Sequence, residues 1–206
     1  MSENAAPTES SGAPRTARSL WPLWLIIAIG VMPFVASYFA YYLWRPEAKV
    51  NYGELLPPRL LADAPLQRID STPFRLAELR GKWILVMADS GACGEHCRQK
   101  LYFMRQLRLA QGREQDRIER LWLIADEVTP DPQLLASFPG TLAVKAAHGD
   151  FIAQLPGAPE PSANIFVVDT FGNLMLRYPR DPDPRLMLKD LSRLLRASAA
   201  AVRVGK

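Results

Sequence analysis

Along its 206 residues the chain runs from a polar stretch into one long apolar run, then a polar stretch broken by prolines. After that, short apolar bursts alternate with amphipathic segments. Residues 1–19 are rich in Ser, Ala, Thr, Pro and Gly. They are expected to form a disordered tail, because they carry too little apolar surface to offset the entropy of ordering. No charge interrupts the run between Arg18 and Arg45. Its apolar part, residues 20–43, would reach about 36 Å as a helix, enough to cross roughly 30 Å of hydrocarbon with some tilt. Its Leu, Ile, Phe and Val side chains together favour insertion by roughly 3–7 kcal/mol. Trp21 and Trp24 at one end, and Tyr38, Tyr41, Tyr42 and Trp44 at the other, suit the two interfaces of a bilayer. Pro22 falls in the first turn, where its missing N–H costs nothing, and Pro33 predicts a mid-span kink. Residues 20–43 are therefore expected to be a single transmembrane helix.

A cleaved signal peptide is the competing reading. Its apolar core is normally about 7–15 residues long and ends at a small-x-small site. This run is longer and ends in Tyr38, Phe39, Ala40, Tyr41 and Tyr42, and no cysteine near it could carry a lipid. Flanking charge leaves orientation open, since Arg15 and Arg18 on one side nearly balance Arg45, Lys49 and Arg59 on the other.

Residues 44–64, with Pro46, Pro57 and Pro58, are expected to be an extended linker, and residues 65–200 a folded domain. Within that domain, residues 66–69 and 73–76 predict a small hairpin around Asp70, Ser71 and Thr72. Residues 83–87 (Trp-Ile-Leu-Val-Met), 121–125 and 165–168 are continuous apolar runs, the mark of strands buried on both faces. After the first of these, Cys97, Leu101, Met104 and Leu107 recur with helical period, and Gly112 can end that helix. Asp131 and Pro132 open a short helix reaching Phe138. A turn at residues 170–173 joins the third strand to a partner at 174–178, and a helix from Pro184 to about Ala200 closes the chain. The order is strand, helix, strand, helix, strand, strand, helix. A β–α–β unit followed by a hairpin and a closing helix predicts an α/β, thioredoxin-like fold behind a single membrane helix.

Composition adds little to that picture. Almost half the residues are apolar, enough for a real core, and the net charge of +4 is mild. No dense basic stripe suggests nucleic-acid binding. The basic positions of the last helix (Arg185, Lys189, Arg193, Arg196) read as a solvated face, with contact to anionic lipid as the alternative. No Ser-His-Asp constellation, phosphate-binding loop or paired-carboxylate motif points to hydrolysis.

The chemistry sits in the chain's two cysteines, Cys93 and Cys97. They fall where the first buried strand hands over to its helix. Residues four apart on a helix share a face, with Cα atoms about 6 Å apart, within disulfide range. The positive end of the helix dipole should favour a thiolate at Cys93. A thiolate pair can exchange disulfides or hold a soft ion such as Cu(I). Two buried, space-filling cysteines are the alternative. A structural zinc site needs four ligands, and His96 and His148 do not stand in finger-like spacing to the cysteines.

The frame Thr72-Pro73-Phe74-Arg75-Leu76, Gly81-Lys82-Trp83-Ile84-Leu85-Val86, Cys93-x-x-x-Cys97, Asp126 to Pro132, and Ser162-Ala163-Asn164-Ile165-Phe166-Val167-Val168-Asp169 with Gly172 resembles the Sco/SenC family over about residues 65–198. The resemblance implies a thioredoxin-like domain outside the cytoplasm that helps assemble the copper centre of cytochrome c oxidase. It implies copper as cofactor and respiratory oxidase subunits, other assembly factors and membrane lipid as partners. It also implies a plasma-membrane anchor with a cytoplasmic N-terminus and a periplasmic domain. That family binds copper through its two cysteines and a distant histidine. Pro161 occupies the histidine's place here, Gly94 and Arg98 stand where prolines usually follow the cysteines, and Thr129 and Pro130 replace an Arg-Asp pair. The thiol pair carries over and the third ligand does not; His96 or His148 are the substitutes the sequence offers.

Three functions follow: a Sco-like assembly factor working by copper delivery or thiol reduction, a membrane-tethered thiol–disulfide oxidoreductase with other clients, or a degenerate scaffold. If the chain is an enzyme at all, it is a thiol–disulfide oxidoreductase. The first two functions require both sulfurs to be reachable from solvent.

Overall fold

The computed structural model describes residues 21–43, 51–146, 151–157 and 161–204. The expected N-terminal tail, the start of the expected linker and His148 lie outside them. The chain divides into two compact units, residues 1–48 and 49–206.

In the first unit, helix α1 runs Trp21–Leu43 without interruption, with Pro33 inside it. Its window Trp21–Tyr42 has a mean hydropathy of 2.1 and none of it is buried. An apolar helix that hides no face is unlike the core helix of a soluble domain, which covers at least one stripe. The helix is long and apolar enough to cross a membrane. Near its end Tyr38 and Tyr42, one turn apart, bring their rings to 4.5 Å.

The second unit is built on one mixed sheet. Its strands are β1 (Glu54–Leu60), β2 (Leu66–Arg68), β3 (Pro73–Phe74), β4 (Trp83–Asp89), β5 (Ile118–Ile124), β6 (Thr141–Lys145), β7 (Ile165–Val168) and β8 (Asn173–Tyr178). They lie in the order β1-β8-β7-β4-β5-β6-β2-β3. Strands β4, β5 and β6 are parallel, β7 runs antiparallel beside β4, and β8 runs antiparallel beside β7. The helices are α2 (Glu95–Leu109), α3 (Pro132–Ser137) and α4 (Pro184–Val204).

Strand β4 shows why its sequence is apolar at every position. Trp83, Leu85 and Met87 join one core layer, with Leu101, Met104 and Leu107 of α2 and Met187, Leu191 and Leu195 of α4. Ile84, Val86 and Ala88 point the other way, into a layer with Phe74, Leu76, Phe151 and Leu155. The side-chain period of two sends neighbours to opposite faces, so a strand covered on both sides has no polar position to spare. The thioredoxin-like α/β fold is thus present, with the α2 N-terminus at the carboxyl end of the central strand.

Two elements differ from expectation. Residues 54–60 are not linker: they form edge strand β1, antiparallel to β8. Pro57 and Pro58 hid it, but an edge strand needs few donors and the pairing is irregular between Leu55 and Arg59. The preceding residues are also fixed. The buried Asp190 carboxylate accepts the Gly53 N–H at 2.8 Å, and the Tyr52 hydroxyl accepts the Asp183 N–H at 2.9 Å. Gly53 has no room for a side chain, since a Cβ would sit 2.9 Å from Leu176. The second difference is β6, a parallel strand beside β5 that the sequence pattern did not reveal. Its run Thr-Leu-Ala-Val-Lys is short and only half buried.

Candidate redox site

Strand β4 ends at Asp89, the chain crosses residues 90–94, and α2 starts at Glu95 with Gly94 as a cap that offers no side chain. Cys93 and Cys97 are joined by a disulfide, with Cα atoms 5.1 Å apart. They do not share a helix face as the spacing argument supposed. Cys93 precedes the cap with φ +42°, in the left-handed region, while Cys97 lies in the first turn. A non-glycine residue held there costs on the order of 1 kcal/mol or more and persists only where its surroundings enforce it.

Those surroundings are specific. The Cys93 N–H donates to Ser90 O at 3.1 Å, and the Ala92 N–H donates to the Ser90 hydroxyl at 3.1 Å. The Gly91 N–H donates to Asp126 Oδ1 at 2.9 Å, and the Val128 N–H reaches the same oxygen at 3.2 Å. Asp126, just past β5, therefore fastens the cysteine loop to the loop beside it. Burial raises the Asp126 pKa. Hydrogen bonds from the Ser90 hydroxyl and the Gly91 and Val128 N–H groups outweigh that effect and hold it below the ordinary value. A depressed carboxyl adds stability above its unfolded pKa and loses it as pH falls through the lower folded value. The loop should therefore loosen in acid. Reduction of the disulfide by a phosphine, which stays active at low pH, should accelerate as Asp126 protonates. In Asp126→Ala it should be faster already at neutral pH and lack that acid step.

A buried ammonium supports the site from below. Lys100, one turn after Cys97, is 2% exposed. Its Nζ donates to Asp89 Oδ2 at 2.7 Å, to Ala88 O at 3.2 Å and to Ser162 O. Three donors meet three acceptors, so the charge is fully satisfied. Burial pushes the Lys100 pKa down, and Asp89 opposes that. Lys100 thus ties the end of β4, helix α2 and the turn Pro161–Ala163 into one block. The sequence reading missed it. The signal was a lysine inside the apolar stripe formed by Cys97, Leu101, Met104 and Leu107.

The access that exchange and copper handling both require is closed in the disulfide form: Cys93 is 0% and Cys97 1% exposed, and both belong to the core layer beneath α2. The Nε2 of His96 lies 3.4 Å from Ala163 O. The turn Pro161–Ala163, where the Sco/SenC pattern has its histidine, does approach α2, through His96 and Lys100. Among the described residues no group of three His, Cys, Asp or Glu side chains is placed to hold a metal ion. Among the described residues the donor set for copper is two sulfurs, here bonded to each other, and it does not match a three-ligand site.

A family model described as a transmembrane-like, thioredoxin-like C-terminal domain matches residues 83–198. The chain belongs to this thioredoxin-like family. The matched span starts at β4 and ends within α4, so it contains the whole cysteine site. No curated protein matches the chain. Among solved structures, the domain is similar to ScoI from Bradyrhizobium japonicum with copper bound, at 18% identity and a TM-score of 0.54, covering 66% of this chain and 99% of that one. It is similar to yeast Sco1 with copper bound, at 15% identity and a TM-score of 0.56, covering 67% and 93%. A protein described as thiol:disulfide interchange protein DsbE from Chlorobium tepidum matches at 19% identity and a TM-score of 0.54, covering 69% and 99%. At these identities the likeness is one of fold, and it extends to copper-binding and disulfide-exchanging relatives alike.

Proposed function

We propose that this chain is a membrane-tethered thiol–disulfide exchange protein that serves copper-centre assembly in a Sco-like role, by reducing client cysteines. One observation carries the reading: the chain's two cysteines are paired at the N-terminus of α2, at the end of the central strand. The anchor is α1, the N-terminus is cytoplasmic, and the domain works on the periplasmic side. Respiratory oxidase subunits or their assembly partners are the clients.

In the reaction, a Cys93 thiolate attacks one sulfur of a client disulfide and displaces the other as thiolate. Cys97 then attacks the mixed disulfide and releases the second client thiol. Two electrons pass to the client, and the protein is left as the Cys93–Cys97 disulfide. Because both sulfurs are covered in that form, re-reduction begins with displacement of residues 90–94, whose hold on Asp126 and Ser90 sets the opening cost. Two thiolates without a nitrogen ligand suit transient Cu(I) contact less well than exchange, so reduction rather than copper delivery is the favoured half of the Sco-like role.

The test uses the full chain in detergent. Equilibration with thiol buffers should give one two-electron midpoint with the fold retained, and Cys97→Ser should trap a mixed disulfide. Anaerobic Cu(I) titration against a chelator should give weak binding. Tight one-to-one Cu(I) binding lost in Cys93→Ser would move the reading to copper delivery. The burial of both sulfurs favours a second reading, a disulfide staple in a scaffold. Reduction occurring only together with global unfolding would establish that reading and exclude exchange.

A further inference from the structure

Toward the C-terminal end of α2, away from the cysteine loop at its start, lies a second charged cluster whose chemistry is unmet. Arg120 is on strand β5, beside β4, and is only 3% exposed. Its Nη2 donates to Pro139 O, but no protein atom among the described residues accepts from Nε or Nη1. No carboxylate among them pairs with it. The neighbouring groups make this worse. Arg105 and Arg108, three apart on α2, line the same cavity of about 200 Å³, together with Leu109 and Pro139.

Arg105 is held by Ser137 O at 3.1 Å, and Arg108 by Ile118 O at 2.9 Å. The acids nearby do not neutralise the cluster. Asp116 touches Arg108 at 3.5 Å, with its side chain 83% exposed, and Glu119 acts on Arg120 only at a distance. Lys100 is the contrast within the same domain: a buried cation with every donor matched. A buried cation left without a counter-charge costs several kcal/mol, so a stable domain that keeps Arg120 has a use for it.

We propose that Arg105, Arg108 and Arg120 form a binding site for a phosphate group. Three guanidinium forks around one cavity match the oxygens of a tetrahedral dianion, which can take charge-assisted hydrogen bonds from each. Arg120, the most buried of the three, lines the inner wall of the cavity. A cavity of about 200 Å³ is roomier than one phosphate needs, leaving space for a substituent on the fourth oxygen. The ligand is free phosphate, a phosphate monoester or the headgroup of a phosphate-bearing lipid. The alternative occupant is water alone, several molecules of which would fit at about 30 Å³ each.

The experiment follows thermal melting of the full chain in neutral detergent, with inorganic phosphate exchanged for chloride at constant ionic strength. Phosphate should raise the melting temperature saturably. Arg105→Gln should weaken the apparent affinity by about tenfold, the loss of one charge-assisted contact. Arg120→Met should abolish the shift while melting no lower than the parent in phosphate-free buffer, because it removes an uncompensated buried charge. Dihexanoyl phosphatidic acid added to the micelles separates the sources: tighter binding than inorganic phosphate assigns a lipid headgroup, and equal or weaker binding assigns a soluble ligand. A phosphate shift no larger than that of chloride, or one unchanged in Arg105→Gln, overturns the proposal, whether or not Arg120→Met folds.

Discussion

Asp89→Ala should destabilise the domain by about 3–5 kcal/mol, the largest effect expected of a substitution outside the apolar core. Among the described residues the carboxylate of Asp89 is the only anion on the Lys100 ammonium, at 2.7 Å, and Lys100 is buried. Removing it leaves a desolvated charge with two carbonyls, Ala88 O and Ser162 O. Removing the charge as well should relieve most of that cost. Lys100→Met keeps much of the stem's volume, and the Asp89 carboxylate it frees is partly exposed and still accepts the Ser90 N–H at 2.8 Å. Asp89→Ala with Lys100→Met should therefore melt well above Asp89→Ala alone. Near-UV circular dichroism from the buried Trp83 and Trp122 would follow the melting of all three variants. Equal melting temperatures for Asp89→Ala and the double variant would show that the ammonium does not depend on its partner.

Gly91→Ala should produce a different pair of changes. A Cβ at Gly91 would lie 1.8 Å from Val128 O and 2.7 Å from Val128 C, both main-chain atoms with no freedom to swing aside. Either residues 90–94 or the loop after β5 must move, breaking the Gly91 N–H bond to Asp126. The stability loss should be about 2–4 kcal/mol, in the range of overpacking and broken buried contacts. The disulfide should also become reducible at least tenfold faster, because Cys93 lies within the displaced segment. Loss of stability with an unchanged reduction rate would mean that the sulfurs are shielded by other parts of the domain. Asp126→Ala probes the same contact from the opposite side with a milder change, so the two variants should rank in that order.

The central part of this fold was legible because burial on both faces leaves an unmistakable pattern. Residues 83–87, 121–125 and 165–168 contain almost no polar position, and all three are core strands. The edges were not legible. Strand β1 contains two prolines and exposes most of its side chains, so neither composition nor alternation marks it. Its pairing with β8 is main-chain chemistry that any sequence can supply. The site divides in the same way. Two cysteines at a strand-to-helix junction could be read directly. Their burial, the left-handed backbone at Cys93 and the contacts of Lys100 and Arg120 depend on residues distant in sequence. A lysine in an apolar stripe and an arginine in an apolar strand were visible as anomalies. Only the fold shows that one is satisfied and the other is not.

Edge strand β1 also alters how far the protein can reach. Were residues 44–64 a free leash, they would extend to roughly 70 Å. With Tyr52 and Gly53 fixed against α4 and residues 54–60 stitched to β8, only residues 44–50 separate α1 from the domain. Fully stretched they span at most about 25 Å. Lengthening that short stem is therefore a direct way to extend how far the domain can travel from α1.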